Sequence, residues 1–486
     1  MKKFASLGFL LLGAIGCTVG PDYQRPSVQI PEQYKEAPVG WKFASPNDEC
    51  SNEEWWRVFN DSQLDALEVR LEISNQNIKA AFYQYMQARA LVTQARAAYF
   101  PIISGFGSVT REKSATSSAL SSTAVSGLSA GTGSTPTVGA PFTNYHLELD
   151  ASWAPDIWGS VRRTVEGAVA GAQASAAEVA ATRLLAQASL AQFYFELRGL
   201  DGDQKVLDDT VKNYQKLLRI TQNQYKAGTA SRANVLQAQS LLELAEVQAI
   251  DNGILRAQYE HAIAVLIGVP PAEFCIDANP IAFTPPFIPA ALPSTLLERR
   301  PDIAQAERLV KQANAQIGVA IAAYFPVLTL TETGGYNATK LANLFSKPAQ
   351  FWSLGAQLAD TLFDGGLRSG QVEAACATLH QTVAQYRQTV LTAFQDVEDN
   401  LAALRILNEE FNKQKQAVNT ATAALDVVLN SYKAGTAAFA DVLNAEITLY
   451  TAKKGANDIA YRQMVAAVNL IRALGGGWEG GIEQIK

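Results

Sequence analysis

Apolar and polar residues alternate along this chain at one of two periods. From Tyr145 to Trp153, YHLELDASW sets Tyr145, Leu147, Leu149, Ala151 and Trp153 against His146, Glu148, Asp150 and Ser152. Strict alternation is the signature of a β-strand with one apolar and one polar face. IISGFGSVT, Ile102 to Thr110, alternates less cleanly and is the expected partner strand. Later in the chain VLTLTETGGY (Val327 to Tyr336) and FWSLGAQLA (Phe351 to Ala359) hold the equivalent places. Each is about as long as a tilted membrane strand. Four strands of a soluble sheet would carry the same pattern.

The other period is helical, and the prolines mark where it can run. None falls between Pro155 and Pro270, and none after Pro348. Proline breaks helices, so these stretches can hold long ones, and both are rich in Ala, Leu, Gln, Glu and Lys. A helix is expected from about 158 to 227, on the order of 100 Å at about 1.5 Å per residue. Gly228 supplies a turn, and a second helix is expected over 231–267. The later stretch repeats the scheme with helices over 367–433 and 438–474 and a turn at Gly435. Helices this long argue for coiled-coil or barrel-like packing rather than a compact globule.

The same unit is written twice. RAAYFP (Arg96 to Pro101) matches IAAYFP (Ile321 to Pro326), and IWGSVR (Ile157 to Arg162) matches FDGGLR (Phe363 to Arg368). YKAGTA occurs at Tyr225 to Ala230 and again at Tyr432 to Ala437, followed by SRANVLQAQ and AFADVLNAE. Helix, strand, strand, long helix, turn, helix is the repeated order. Between the first two strands, residues 114–140 have 22 of 27 positions as Ser, Thr, Gly or Ala. That composition buries too little to order itself and reads as a solvated loop.

Composition narrows the function classes. The 486 residues are 48% hydrophobic, enough for a sizeable core, and the formal charge is -6. Loss of the first 16 residues removes Lys2 and Lys3 and takes the charge to -8. An acidic chain without a basic cluster is a poor nucleic-acid binder. MKKFASLGFLLLGAIGC has the charged start and short apolar run of a secretory signal, and its Gly16-Cys17 ending suggests lipidation at Cys17. An ordinary signal peptide with a chance cysteine is the plainer alternative. Cys50, Cys275 and Cys376 lack metal-ligand spacing and require no disulfide. No apolar run approaches about 20 residues, so any membrane crossing is made by strands. An open sheet edge in lipid leaves backbone groups unpaired, and single-chain barrels need at least about 8 strands. Four membrane strands must therefore be completed by further copies of the chain, in a number this reasoning leaves open.

Several motifs in order now carry a resemblance. VGPDYQRP (Val19 to Pro26), Trp55-Trp56 with Phe59 in EEWWRVFNDSQLDAL, Arg300 to Ile303 in ERRPDIAQAE, and LFDGGLR (Leu362 to Arg368) span nearly the whole mature chain. The sequence resembles a TolC-like outer membrane factor, in the NodT-type lipoprotein branch that serves resistance-nodulation-division efflux pumps. The resemblance implies an α+β membrane fold: a homotrimer with four strands per chain in a 12-stranded β-barrel, continued by a periplasmic α-helical barrel, with an internal two-fold repeat. It also implies a passive exit duct for small molecules such as drugs, partnered by a periplasmic adaptor and an inner membrane transporter, without a cofactor.

On that reading residues 1–16 are signal and 17–63 are a lipidated segment and equatorial belt. Residues 64–271 and 296–474 are the two repeats, joined by a proline-rich equatorial connection at 272–295, and 475–486 are a tail. The two turns, Tyr225, Gly228, Thr229 and Arg232 with Tyr432, Gly435 and Thr436, become the adaptor-docking tips. Their plainer role is structural: Tyr packs, Gly takes a left-handed turn and Thr caps. Family members often carry a gate carboxylate about where Asn444 stands; here Asp441 is the nearest, so Asp441, Asn444 and Asn234 are gate candidates, with Arg232 and Asn234 able to pair across the hairpins. A solvated helix face would look the same. Glu148 and Asp150 are expected to face barrel water, as any polar strand face would. His146, His261 and His380 match no metal or triad spacing, and no nucleophile motif is present, so no enzyme is expected. The other readings are a protein-secretion duct and a periplasmic coiled-coil scaffold lipoprotein; a scaffold needs no strands.

Overall fold

The structure is a computed structural model and describes residues 18–31, 33–36, 52–113, 141–280, 285–286 and 300–476. Cys17, Cys50, the 114–140 segment and the tail beyond 476 lie outside the described residues. In order, the main elements are α1 (Ser62–Ser74), α2 (Gln76–Ala97), β1 (Ile102–Glu112), β2 (Phe142–Trp153), α3 (Ser160–Lys226), α4 (Arg232–Leu266), α5 (Pro301–Ala322), β3 (Val327–Ala338), β4 (Gln350–Ala359), α6 (Leu367–Lys433) and α7 (Phe439–Ala473). The chain divides into two compact units: residues 1–23, 90–169 and 311–379, and the remainder.

The first unit holds the sheet. Its four strands are antiparallel in the order β1-β2-β3-β4, so the two hairpins join into one sheet through β2 and β3. The alternating pattern predicts the β1–β2 pair; the β2–β3 junction is set by contacts between the two halves of the chain. Phe106 pairs with Glu148, and Leu147 pairs with Tyr336. β2 and β3 come close at Gly335, where a Cβ would stand 2.2 Å from the Leu147 carbonyl oxygen; only glycine fits. β1 and β4 are the free edges.

Residues Thr18 to Asp22 are held in this same unit. The Val19 amide donates to the Trp158 carbonyl at 3.2 Å, and the guanidinium of Arg163 donates to Val19 O, Gly20 O, Asp22 and Glu166. The Arg163 side chain is only 5% exposed, so these acceptors hold a nearly buried charge. Gly20, at φ +95°, meets Gly318: a Cβ on it would lie 2.5 Å from the Gly318 Cα.

The second unit is helical. α3 and α6 are each 67 residues and α4 and α7 each 35. Trp56, Leu64, Leu71, Tyr194, Phe195, Leu197, Ile263, Ile267 and Val468 form its main core. Asp61 starts α1, accepting from the amides of Gln63 and Leu64, and Tyr194 Oη donates to the same carboxylate at 2.7 Å. The chain before β1 breaks into two helices at Asn75, whose side chain caps α2 through Asn77 N and Ile78 N and donates to Leu266 O. α5, the counterpart of α2, is also 22 residues long and starts at the equivalent position, Pro301.

Candidate functional site

The two YKAGTA turns are built bond for bond alike. The Gly228 amide donates to Tyr225 O and the Thr229 amide to Gln224 O; the Gly435 amide donates to Tyr432 O and the Thr436 amide to Ser431 O. This is the paired 5→2 and 6→1 pattern that closes a helix on a left-handed residue. Gly228 has φ +77° and Gly435 φ +78°, and neither has a heavy atom within 4 Å of where a Cβ would stand. Backbone conformation, not crowding, selects glycine at both. Each threonine hydroxyl also donates back, Thr229 to Gln224 O and Thr436 to Ser431 O, so the threonines finish the preceding helix and do not cap the next. Ser231 caps α4 instead, accepting from the Asn234 amide at 3.2 Å.

The letters shared by the turns meet different surroundings. Tyr225 is exposed, whereas Tyr432 is buried against Phe439 at a ring separation of 5.9 Å and donates from its hydroxyl to Gln224 Oε1 at 2.5 Å. Both tyrosines were expected to pack; one does. Leu217, Ala238, Val442 and Leu443 close the cluster around Tyr432, joining all four long helices near their turns.

Asp441 and Asn444 lie exposed on α7, one helical turn apart. The Asp441 carboxylate accepts from the Ala438 amide at 3.1 Å; alanine has no acceptor to reciprocate, so this is half of a capping box. Asn234 is engaged with Ser231, and Arg232 is exposed. Within one chain the Asn234 and Asp441 side chains are each engaged at the start of their own helix.

Two turns into α7 lies a group that the motifs do not mark. Glu446 is 6% exposed on the stripe Phe439, Val442, Leu443, Leu449, and burial raises its carboxyl above the ordinary range, partly offset by Lys453. Tyr214 opposite is pushed up to about 12 by its own burial and by the Glu446 charge. A glutamate on an apolar stripe was the legible signal.

The sheet register sorts its side chains into two faces. One carries Val109, Tyr145, Leu147, Leu149, Ala151, Trp153, Leu328, Leu330, Trp352, Leu354 and Leu358, with Glu332 among them. Leu149, Trp352, Leu354 and Leu358 are between 63% and 78% exposed, an apolar surface of the kind that marks a membrane or protein contact. The other face carries Ser104, Ser108, His146, Glu148, Asp150, Ser152, Thr331, Thr333, Asn337 and Ser353. Glu148 and Asp150 thus share the polar face, where Glu148 meets His146 Nε2 at 2.5 Å and Asp150 accepts from Thr333 Oγ1 at 3.0 Å. Among the described residues no helix is long and apolar enough to cross a membrane.

Aromatic residues stand at both ends of the apolar face, Trp153 at one and Tyr145 and Tyr336 toward the other. From Trp153 to Tyr145 is about 27 Å of strand, which a tilt of about 40° reduces to a thickness of about 20 Å. That approaches the apolar band of about 25 Å between the aromatic girdles of outer membrane barrels.

Comparison with known proteins agrees with this geometry. The family model described as "Outer membrane efflux protein" matches residues 69–269 and 292–476. The chain is 30% identical to the probable efflux pump outer membrane protein TtgC of Pseudomonas putida KT2440, covering 98% of this chain and 96% of that one. It is 26% identical to the probable outer membrane lipoprotein SilC of Salmonella typhimurium, covering 97% of each. The solved outer-membrane channel OprN superposes with a TM-score of 0.84 at 26% identity, over 95% of this chain and all of that one. The apolar sheet face, the long helices and these matches agree: the chain belongs to the outer membrane efflux protein family.

Proposed function

We propose that three copies of this chain close their sheets into one 12-stranded barrel in the outer membrane, and that the long helices continue it as a duct through the periplasm. The observation that carries this is the four-stranded sheet with a bare apolar face and two free edges. In lipid each unpaired edge group costs several kcal/mol, and further copies remove the edges altogether. The apolar face then meets lipid and the polar face, with Glu148 and Asp150, lines water. The matched element lengths of α3 with α6 and α4 with α7 support descent of the two halves from one duplicated unit.

The duct is the passive outer component of a tripartite efflux pump and carries small molecules such as drugs or other toxic compounds to the exterior. Energy comes from an inner membrane transporter, and a periplasmic adaptor docks on the YKAGTA turns through Tyr225, Thr229, Arg232 and Thr436. Exposed side chains on rigidly closed helix ends suit that role. Gating follows from the Tyr432–Gln224 bond, which ties the second helical hairpin to the first, with Asp441 and Asn444 exposed beside it. Cys17 is the lipid attachment point: the next five residues are clamped at the foot of the strands by Arg163 and the Trp158 carbonyl, at the level where an acyl chain enters the bilayer. TtgC's designation as an efflux pump component favours efflux over protein secretion, and the sheet is superfluous in a coiled-coil scaffold.

The test is in-cell cross-linking from Thr229→Cys and Thr436→Cys, with the captured proteins identified by mass spectrometry. A periplasmic adaptor recovered from outer membrane fractions is the expected result. Fractionation away from the outer membrane, with self-contacts only, would contradict the reading.

A further inference from the structure

The polar face of the sheet carries a built aromatic cluster. The His146 imidazole lies stacked on the Phe351 ring at 5.4 Å and 16°, and Phe106 flanks its other side at 6.1 Å. Phe351 is on β4 and His146 on β2, two strands away. They meet because the position between them is Gly335, paired with both Glu148 and Phe351, which puts no side chain in the way. The same glycine that lets β2 and β3 approach opens the floor on which the Phe351 ring lies.

The cluster is anionic as well as aromatic. Glu148 touches the imidazole at 2.5 Å, and Asp150 stands one row below on the same face. Among the described strand residues that face carries Glu112, Glu148 and Asp150 and no lysine or arginine. Phe106 is 58% exposed, so a ring face stays open to whatever passes. A ring face attracts cations through its quadrupole, carboxylates add to the attraction, and flat apolar bodies stack on the rings. An aromatic anion keeps only the stacking contact and is repelled by the carboxylates.

We propose that Phe106, His146 and Phe351, with Glu148 and Asp150, form a retention site on the duct wall for organic cations that carry an aromatic body, and that this site biases the duct toward such substrates. The inference rests on the duct reading, since only a closed barrel turns this face inward. Copies in the neighbouring subunits repeat the site around the bore and multiply its effect on a molecule crossing it.

The test is single-channel recording of the full-length protein in planar bilayers, with tetraphenylphosphonium as the probe and benzenesulfonate as the anionic control. Tetraphenylphosphonium is expected to block the current in a concentration-dependent way, and benzenesulfonate to leave it unchanged. Phe106→Leu keeps the apolar bulk and removes the open π face, and should raise the half-blocking concentration by about 3-fold per site, the size of one exposed cation–π contact. Glu148→Gln should raise it as well. Variants with normal conductance in potassium chloride but unaltered block, or equal block by benzenesulfonate, overturn the proposal. A wild-type protein that forms no channels at all overturns the duct reading beneath it.

Discussion

The Tyr432 hydroxyl donates to Gln224 Oε1 at 2.5 Å, joining the last turn of one 67-residue helix to the last turn of the other. Gln224 is also the residue whose carbonyl receives both the amide and the hydroxyl of Thr229. One residue therefore closes its own turn with its backbone and holds the other hairpin with its side chain. Gln224→Ala and Tyr432→Phe should each cost about 1 kcal/mol of tip stability, the net value of one hydrogen bond. Both should raise single-channel conductance, and the double variant should rise no further than the larger single change, because both remove the same bond. Independent, additive effects would mean the pair does not act as a tie.

Asp441→Ala removes the carboxylate that accepts from the Ala438 amide at the start of α7 and should loosen that turn by about 1 kcal/mol. Increased conductance in a planar bilayer is expected. Unchanged conductance would take Asp441 out of the gate and leave it as a helix cap.

Glu446 makes the tip pH-dependent, with a definite sign. Its folded-state pKa is raised, mainly by burial, so its contribution to stability is greatest below the ordinary carboxylate range and is lost as pH rises toward the folded value. Glu446→Gln keeps the shape and removes the charge. In detergent it should melt at a higher temperature than wild type at pH 8, with the gap closing as pH falls toward about 4.5, the ordinary value for a glutamate. A gap independent of pH would show that the gain is packing and not ionisation.

Gly228→Ala and Gly435→Ala should each destabilise their turns by about 1 kcal/mol, since both glycines hold positive φ with open space around them. Faster hydrogen exchange confined to residues 223–236 or 430–443 is the expected readout. Exchange unchanged by either substitution would mean the left-handed turn carries no strain.

Much of this molecule was legible because its signals are periodic. Alternation marked the strands, and proline-free stretches marked the helices, to within a few residues of β2 and α3. What escaped was set by contacts distant in sequence. Nothing local to Gln224 shows that Tyr432 reaches it across 208 positions. The stack of His146 on Phe351 needs the β2–β3–β4 register and the gap at Gly335, and neither is written near the histidine. The Asn75 side chain that caps α2 is also tied to the Leu266 carbonyl, 191 positions away. The clasp at Val19 and Gly20 likewise depends on Arg163, although all three lie within or beside motifs noted for other reasons.

The central claim is that separate copies complete one barrel, and disulfide trapping between the sheet edges tests it most directly. Within one chain β1 and β4 are separated by two strands, about 14 Å at ~4.8 Å per strand spacing. A disulfide spans at most about 7 Å between Cα atoms, so no bond between these edges can form inside one sheet. With Cys50, Cys275 and Cys376 replaced by serine, Ser104→Cys on β1 is combined in turn with cysteines at positions 351 to 357 of β4, and outer membranes are oxidised and run on denaturing gels. At the matching register we expect a covalent ladder of one, two and three chains that ends at three. Chains that stay monomeric at every position, or a ladder that ends at another number, would contradict the account.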